Sequence, residues 1–198
     1  MNPTNTSSPR PALNATGIVE EAIALIRELG VDALSMRALA MRLGVTAPAL
    51  YAHFTNRDAL LRACAQVGYD ELDTRFHKGE PASAMDMIWV SSRSYVTYAI
   101  EEPELFSLMF LYRPDAIEIA VDADIEHGGA TTVFDSMLAN LATAIDDGHL
   151  RPADPLRYGL ALWAAVHGVA TVAGLAPGID TDALIEDVVG GLLAGWRA

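Results

Sequence analysis

Residues 35–54, SMRALAMRLGVTAPALYAHF, contain two short helical patterns joined by a tight connection. Their apolar residues recur at helical spacing, and we predict a first helix that begins at Ser35 and stops at Gly44. The second helix is predicted to begin after Thr46, with Pro48 in its first turn, where a missing N–H costs little. Two helices of about two turns, with glycine at the entry to their connection, are typical of a helix-turn-helix. The residues predicted to face inward are Met36, Leu39, Leu43, Val45, Leu50 and Phe54.

The side chains left outside this helix pair are candidates for contacts with DNA. Thr46 and the N–H groups that follow it form a predicted anion site, which suits a DNA phosphate. Arg37 and Arg57 lie near the starts of the flanking helices, where they are expected to contact phosphates and position the protein without reading its sequence. The predicted second helix carries no Arg, Asn or Gln, and its small residues favour contacts with thymine methyl groups in the major groove. The predicted DNA-binding residues are Ser35, Arg37, Thr46, Ala47, Pro48, Ala49, Tyr51, His53 and Arg57.

The charge of the chain is divided unevenly and leaves its first third free to approach a polyanion. The 198 residues carry a formal net charge of -13. Residues 1–62 hold six arginines and five acidic residues, whereas residues 63–198 hold seven basic and 21 acidic residues. Such asymmetry, like a short helix pair, also occurs in proteins that bind no nucleic acid, so neither feature alone establishes DNA binding. A hydrophobic content of 52% excludes intrinsic disorder as a description of the whole chain.

The rest of the chain shows helical periodicity and no sustained alternation of polar and apolar residues, which predicts an all-α fold. A first helix is predicted from Ile18 to Gly30 with Thr16 as its N-cap, and a fourth from Asn56 to about Phe76. Later helices are predicted at 83–100, 104–112, 131–145, 156–175 and 181–196. The predicted organisation is a disordered tail at 1–13, an N-terminal three-helix helix-turn-helix domain at 14–62, and a larger helical domain at 63–198.

Several classes of protein are disfavoured by what the chain contains. Its single cysteine, Cys64, excludes an intramolecular disulfide framework and a CxxC-type zinc site, and no other metal-ligand spacing occurs. No catalytic or cofactor-binding motif is recognisable, so we expect neither an enzyme nor a bound cofactor. The first 13 residues lack the apolar core of a secretory signal, which favours a cytoplasmic protein. The apolar run from Gly159 to Leu175 is 17 residues long, short of the roughly 20 that a membrane helix needs, and is expected to be a core or interface helix.

Residues 16–62 closely resemble the N-terminal DNA-binding domain of the TetR family of transcriptional regulators. The resemblance rests on Ile18 to Gly30, on residues 35–40 (SMRALA) and 43–46 (LGVT), and on residues 49–54 (ALYAHF) followed by 56–61 (NRDALL). Arg57 departs from the family's usual lysine but keeps the charge. Further along, Trp163, His167 and Gly168 match the Trp-x-x-x-His-Gly pattern of one subgroup of TetR ligand domains. The resemblance implies a homodimer whose operator affinity changes when a small molecule binds residues 63–198.

The C-terminal residues suggest how such a dimer and its ligand site are built. The stripe along 181–196 is too wide for a single helix neighbour, and a four-helix interface between two protomers is predicted, with central burial in a monomer as the alternative. Its predicted contacts are Leu184, Val188, Leu192 and Trp196. Aromatic and methionine side chains elsewhere form either ordinary core or an apolar pocket with few polar anchors. The candidate ligand-binding residues are Trp89, Tyr95, Tyr98, Phe106, Met109, Phe110, Trp163 and His167.

Together these patterns predict a ligand-responsive transcriptional regulator, most simply a repressor. It is expected to bind a palindromic double-stranded operator as a homodimer, because one recognition helix buries too little surface for gene-level specificity. A largely apolar small molecule is expected to release it, and no membrane is involved. The alternative is an all-α enzyme or carrier that uses an apolar cavity in residues 63–198 and keeps the helix pair as a scaffold.

Overall fold

The computed structural model describes residues 13–79, 81–111, 129–176 and 178–198. These ranges are helical, and they contain no strand beyond an isolated antiparallel bridge between Leu150 and Arg197. The all-α prediction is therefore confirmed. The predicted disordered tail lies outside the described residues except for Leu13.

The chain separates into two compact units, residues 1–60 and 61–198. The described part of the first unit contains α1 (Ala15–Leu29), a 3-10 turn (Val31–Ala33), α2 (Met36–Leu43), α3 (Ala47–Tyr51) and the start of α4 (Arg57–Phe76). The second contains the rest of α4, α5 (Ala84–Glu101), α6 (Pro103–Leu111), α7 (Gly129–Asp146), α8 (Pro155–Leu175), α9 (Thr181–Ile185), a π turn (Glu186–Gly190) and α10 (Gly191–Trp196).

Short-range hydrogen bonds fix the ends of the helices in the first unit. Ser35 caps α2 by accepting the N–H of Ala38 at 3.1 Å, and Gly44 ends the helix in the left-handed conformation with φ 67°. The prediction that Thr16 caps α1 is wrong. Asn14 is the cap, because its side-chain oxygen accepts the N–H of Gly17 at 2.8 Å.

α3 is shorter than the helix predicted to reach Phe54. It ends at Tyr51, where the N–H groups of His53 and Phe54 both donate to the carbonyl of Leu50 at 2.9 Å and close a turn. The next helix starts at once, since Asn56 accepts the N–H of Ala59 at 2.7 Å. Thr46 occupies the N-cap position but makes no side-chain cap hydrogen bond.

The core of the second unit lies between α5, α7 and α8. α8 is the one helix among the described residues that is long and apolar enough to cross a membrane, and 39% of its apolar window is buried in the protein. Its buried residues Leu162, Val166, Val169 and Ala173 recur at helical spacing along one face, as expected for a core helix.

The last helical segment departs from the single helix predicted at 181–196. A π turn at Glu186–Gly190 separates α9 from α10 without a break in helical backbone angles. The C-terminal end is anchored, since the N–H of Arg151 donates to the carbonyl of Trp196 at 2.8 Å and the Trp196 ring stacks on Tyr158 with centroids 4.1 Å apart.

Candidate DNA-binding surface and effector site

α3 has one fully buried side chain, and its other residues are half-buried or exposed. Leu50 has no exposed surface, whereas Pro48 and Ala52 are exposed and Tyr51 is 51% exposed. Ala47 and Ala49 flank Pro48 and are half-buried, and Thr46 and His53 at the two ends are exposed. The predicted DNA-contacting residues of α3 therefore lie together on one outward surface. Ala52 belongs to this surface too, although the sequence patterns did not single it out.

The two arginines of α2 have different roles, one within the fold and one on the surface. Arg42 forms ion pairs from α2 to Glu21 and Glu28 of α1, the latter at 2.7 Å. The hydrogen bond from Arg42 lowers the pKa of Glu28, and the pairing raises the pKa of Arg42. Arg37 is exposed on α2, and no side-chain hydrogen bond or ion pair engages it within the part of the chain that the structure describes.

Arg57 has a role that the sequence patterns missed. Its guanidinium is partly buried and donates to the carbonyl oxygens of Leu34, at 2.6 Å, and Val31, at 2.8 Å. These bonds tie the start of α4 to the 3-10 turn that precedes α2. The phosphate contact predicted for Arg57 stays a prediction. Ser35, the other predicted contact, is exposed and caps α2.

Five of the eight candidate ligand residues meet in the second unit. The Trp163 indole N–H donates to the Tyr95 hydroxyl at 3.3 Å, and that hydroxyl lies 3.0 Å from Nδ1 of His167. The ring of Phe106 stacks on His167 with centroids 5.8 Å apart, and Phe110 meets the same imidazole edge-on at 4.8 Å. We call Tyr95, Phe106, Phe110, Trp163 and His167 the aromatic cluster. Phe134 of α7, 6.4 Å from Trp163, adjoins it and was not among the sequence candidates.

The other three candidates lie in separate packing contacts. Trp89 packs on Gly190 of the π turn and carries the Arg93 guanidinium 5.6 Å from its ring centroid. The Tyr98 hydroxyl donates to Glu71 at 3.2 Å. Met109 has no exposed surface, and its carbonyl accepts the Tyr69 hydroxyl at 2.7 Å. Side-chain type alone did not separate these packing residues from the cluster.

The predicted dimer contacts lie on α9, α10 and the π turn between them. Leu184 and Leu192 are half-buried and Val188 is 36% exposed, whereas Trp196 is half-buried and packs on Tyr158. Further small and apolar residues are exposed on α8 and α10. They are Ala164, Gly168, Val172, Gly174, Leu175, Gly191, Ala194 and Gly195.

The described residues contain neither a cluster suited to a metal ion nor a reactive thiol. No set of three or more His, Cys, Asp or Glu side chains is placed to hold a metal ion in the ranges that the structure covers. Cys64 is buried, and desolvation raises the pKa of its thiol to about 12, so that it stays protonated at neutral pH.

A helix-turn-helix with an outward-facing second helix, followed along the chain by a larger helical unit, is the arrangement expected of a DNA-binding transcription regulator. A model of the bacterial regulatory proteins of the tetR family matches residues 18–64. A model of the tetracyclin repressor-like C-terminal domain matches residues 91–192. The chain belongs to the TetR family. Assignment to the Trp-x-x-x-His-Gly subgroup stays a prediction.

Individual relatives agree with this assignment. The chain is 31% identical to an uncharacterized HTH-type transcriptional regulator, Rv0681, of Mycobacterium tuberculosis, over 96% of this chain and 85% of the relative. It is 50% identical to the tetracycline repressor protein class A of Escherichia coli over 54 residues, 27% of this chain and 25% of that repressor. A solved structure of a protein of unknown function from Rhodococcus sp. RHA1 covers 96% of this chain and 100% of its own, with a TM-score of 0.78 and 26% identity.

Proposed function

We propose that this regulator is a cytoplasmic repressor and not an enzyme, that it binds a palindromic operator as a homodimer, and that a largely apolar small molecule releases it. The observation that supports binding to an operator most directly is the outward surface of α3, together with the exposed Arg37 on α2. The 50% identity to a tetracycline repressor, confined to about a quarter of each chain, supports the same role for the first unit.

Within this proposal, Arg37 supplies the strongest single DNA contact of the first unit. Arg42 is occupied by two carboxylates and Arg57 donates to two carbonyl oxygens. Arg37 can reach a phosphate or a guanine edge without breaking a bond of the fold. Thr46, Tyr51 and His53 add neutral donors at the edges of the α3 surface.

Replacement of Arg37 tests the DNA-binding proposal. Operators are selected from random duplexes with the full-length chain, and affinity is measured by fluorescence anisotropy at several salt concentrations. Arg37→Ala is expected to weaken binding of the dimer at least tenfold, about 1.4 kcal/mol, with a salt slope shallower by about two if each protomer's Arg37 contacts a phosphate.

Arg42→Ala is the matched control, because it removes the same charge from the same helix. We expect it to lower thermal stability, through loss of the pairs to Glu21 and Glu28, with a smaller effect on operator affinity. If Arg37→Ala changes neither affinity nor salt slope, the proposed DNA-binding surface is wrong.

The homodimer is supported by helical glycines that no packing contact among the described residues requires. A Cβ on Gly168, Gly174, Gly191 or Gly195 would lie in open space within the described part of the protomer. Each glycine inside a helix costs about 1 kcal/mol relative to alanine. Close approach of helices from a second copy explains why the cost is tolerated, and the exposed Val172, Val188 and Leu175 supply apolar area beside them.

A bulky residue at one of these glycines tests the dimer. Gly191→Leu is expected to raise the dimer dissociation constant at least tenfold in sedimentation equilibrium, because the added side chain separates the facing helices. Ala139→Leu, at an exposed position of α7, is the control and should leave self-association unchanged. A wild-type chain that sediments as a monomer at micromolar concentration would refute the dimer itself.

Effector binding is assigned to the aromatic cluster. Its rings offer stacking surface, and its polar atoms are held by the bonds from Trp163 to Tyr95 and between Tyr95 and His167. A site of apolar walls with a few placed polar groups suits a small, largely apolar molecule. Coupling of only about 1.4 kcal/mol lowers operator affinity tenfold if the ligand favours a form that fits the operator poorly. α4 is the proposed carrier of the change, since it begins with Arg57 in the first unit and continues to Phe76 in the second.

The dye 1-anilinonaphthalene-8-sulfonate serves as a probe of this site. We expect the full-length dimer to bind it with enhanced fluorescence, and Tyr95→Phe to weaken binding while operator affinity without dye is kept. Thr143→Val, at an exposed position of α7, controls for loss of a hydroxyl elsewhere in the unit. Equal dye affinity in wild type and Tyr95→Phe would argue against the aromatic cluster as the ligand site.

A further inference from the structure

Arg57 lies where α4 joins the helix-turn-helix. α4 begins at Arg57 in the first unit and continues to Phe76 in the second. In the proposed dimer, the place at which each α3 meets DNA depends on how α4 holds the first unit of the same protomer. The contacts at the start of α4 are therefore the contacts that orient α3.

Two directional hydrogen bonds connect the start of α4 to the helix-turn-helix. The Arg57 guanidinium donates through Nε to the carbonyl oxygen of Leu34 at 2.6 Å and through Nη2 to that of Val31 at 2.8 Å. Both acceptor residues have buried side chains, so the core holds their backbone in place. Leu34 directly precedes Ser35, the N-cap of α2, and the two bonds therefore reach the base of the helix-turn-helix. We call these two bonds the Arg57 clamp.

Apolar packing at the start of α4 does not replace the Arg57 clamp. Leu60, one turn further along α4, has no exposed surface and anchors the helix. Apolar burial is non-directional, however, and permits rotation about the contact. A planar guanidinium that donates from two nitrogen atoms to two acceptors fixes an orientation, whereas a lysine carries the same charge as a single point donor.

The angle between α4 and the helix-turn-helix decides which half-site spacing the dimer fits. One added base pair moves two half-sites apart by about 3.4 Å and turns them by about 35° relative to each other. A compact unit as long as residues 1–60 has a radius of gyration of about 10 Å. In a unit of that size, a rotation of about 10° displaces a point about 20 Å from the pivot by about 3.5 Å. A small change of angle thus corresponds to a whole base pair.

We propose that Arg57 is a positioning residue: by fixing the angle between α4 and the helix-turn-helix, the Arg57 clamp sets the half-site spacing that the dimer accepts. This inference rests on the proposed operator binding as a homodimer. It gives Arg57 a role that requires no contact with DNA. A phosphate contact made by Arg57 would strengthen binding to every duplex alike, whereas the Arg57 clamp discriminates between spacings.

Operators of altered spacing test the proposal. An operator is selected from random duplexes with the full-length chain, and duplexes with one base pair added to or removed from its centre are compared with it by fluorescence anisotropy. The spacing ratio is the dissociation constant for an altered duplex divided by that for the selected one. We expect a ratio of about ten or more for the wild type, because protein or DNA must distort to bridge the misfit, and about threefold or less for Arg57→Lys.

Arg62→Lys is the matched control, because Arg62 is an exposed residue of the same helix and the chemical change is identical. It should keep the wild-type spacing ratio. Arg57→Met removes both donors and should lower the ratio as Arg57→Lys does, so either variant serves if the other does not fold. Thermal unfolding establishes which variants are folded. A uniform loss of affinity, from lost charge or lower stability, affects all three duplexes equally and cancels in the ratio.

The outcomes separate the Arg57 clamp from the function on which it rests. A wild-type chain that binds all three spacings equally, or a folded Arg57 variant that keeps the wild-type ratio, would overturn the assignment and leave operator binding intact. If the full-length chain selects no palindromic duplex, the proposed operator binding as a homodimer fails, and the role of Arg57 in it fails as well.

Discussion

Gly68 of α4 is a position where even one methyl group has no space. A Cβ there would lie 2.7 Å from Sδ and 2.9 Å from Cγ of Met109, and 3.2 Å from Cγ of Leu105. Both α6 residues have no exposed surface, so neither can move aside into solvent. Overpacking of a core typically lowers stability by about 1–3 kcal/mol, whereas the higher helix propensity of alanine over glycine raises it by about 0.5–1 kcal/mol. We therefore predict that Gly68→Ala lowers the free energy of unfolding by about 1–2 kcal/mol.

Urea unfolding followed by circular dichroism measures this difference. Wild type and variant are compared at the same protomer concentration, because self-association contributes to apparent stability. Gly17→Ala in α1 is the matched control: its Cβ would meet only the Asn14 side-chain oxygen at 3.4 Å. That control should be neutral or slightly stabilising.

A second substitution identifies Met109 as the cause. Met109→Ala alone should cost about 2–5 kcal/mol, and in Gly68→Ala/Met109→Ala the added methyl has room, so that the double variant is more stable than the sum of the single effects predicts. Strict additivity, or a Gly68→Ala protein at least as stable as wild type, would mean that the close α4–α6 contact is not what requires glycine.

Three further predictions follow from local contacts. Asn14→Ala should cost about 1 kcal/mol of unfolding free energy in urea titration, because the Gly17 N–H loses its cap; an unchanged midpoint would exclude the cap. Cys64 should resist iodoacetamide at pH 8 in the folded protein and react on unfolding, since burial raises its pKa to about 12; rapid alkylation of the native chain would contradict this. Arg42 lowers the pKa of Glu28 in the folded state, so its contribution is present above the ordinary carboxyl pKa of about 4.3 and disappears as pH falls through the lowered value. Glu28→Gln should accordingly lower the melting temperature slightly at pH 7 but not near pH 2, and an equal loss at both would rule out the charge effect.

Packing contacts determine which of the candidate ligand residues belong to the aromatic cluster and which do not. Tyr95, Trp163 and His167 have polar ring atoms that bond to one another across α5 and α8. Tyr98 and Met109 have the same chemical character but are engaged by Glu71 and by Gly68 of α4. Side-chain type is shared by both groups, and only the helix face on which each residue lies distinguishes them.

Features that depend on neighbours within about four residues were readable from the amino-acid order. Ser35 and Gly44 bound α2 because a cap hydrogen bond and a left-handed stop involve only the helix's own ends. Helical periodicity and the helix-turn-helix pattern likewise predicted the all-α fold and the outward surface of α3. The wrong N-cap at Thr16 shows the limit, since Asn14 is an equally good cap two residues away.

Features that join distant parts of the chain appeared only in three dimensions. The sequence pattern suggests that Arg57 binds a phosphate. In the structure its guanidinium donates hydrogen bonds to the carbonyl oxygens of residues 23 and 26 positions earlier in the chain. Tyr95 and His167 are 72 residues apart, and nothing local to either one encodes their contact. The physical reason is range: caps and periodicity arise from the geometry of a single helix, whereas a guanidinium or a hydroxyl finds its partner only after the helices have packed.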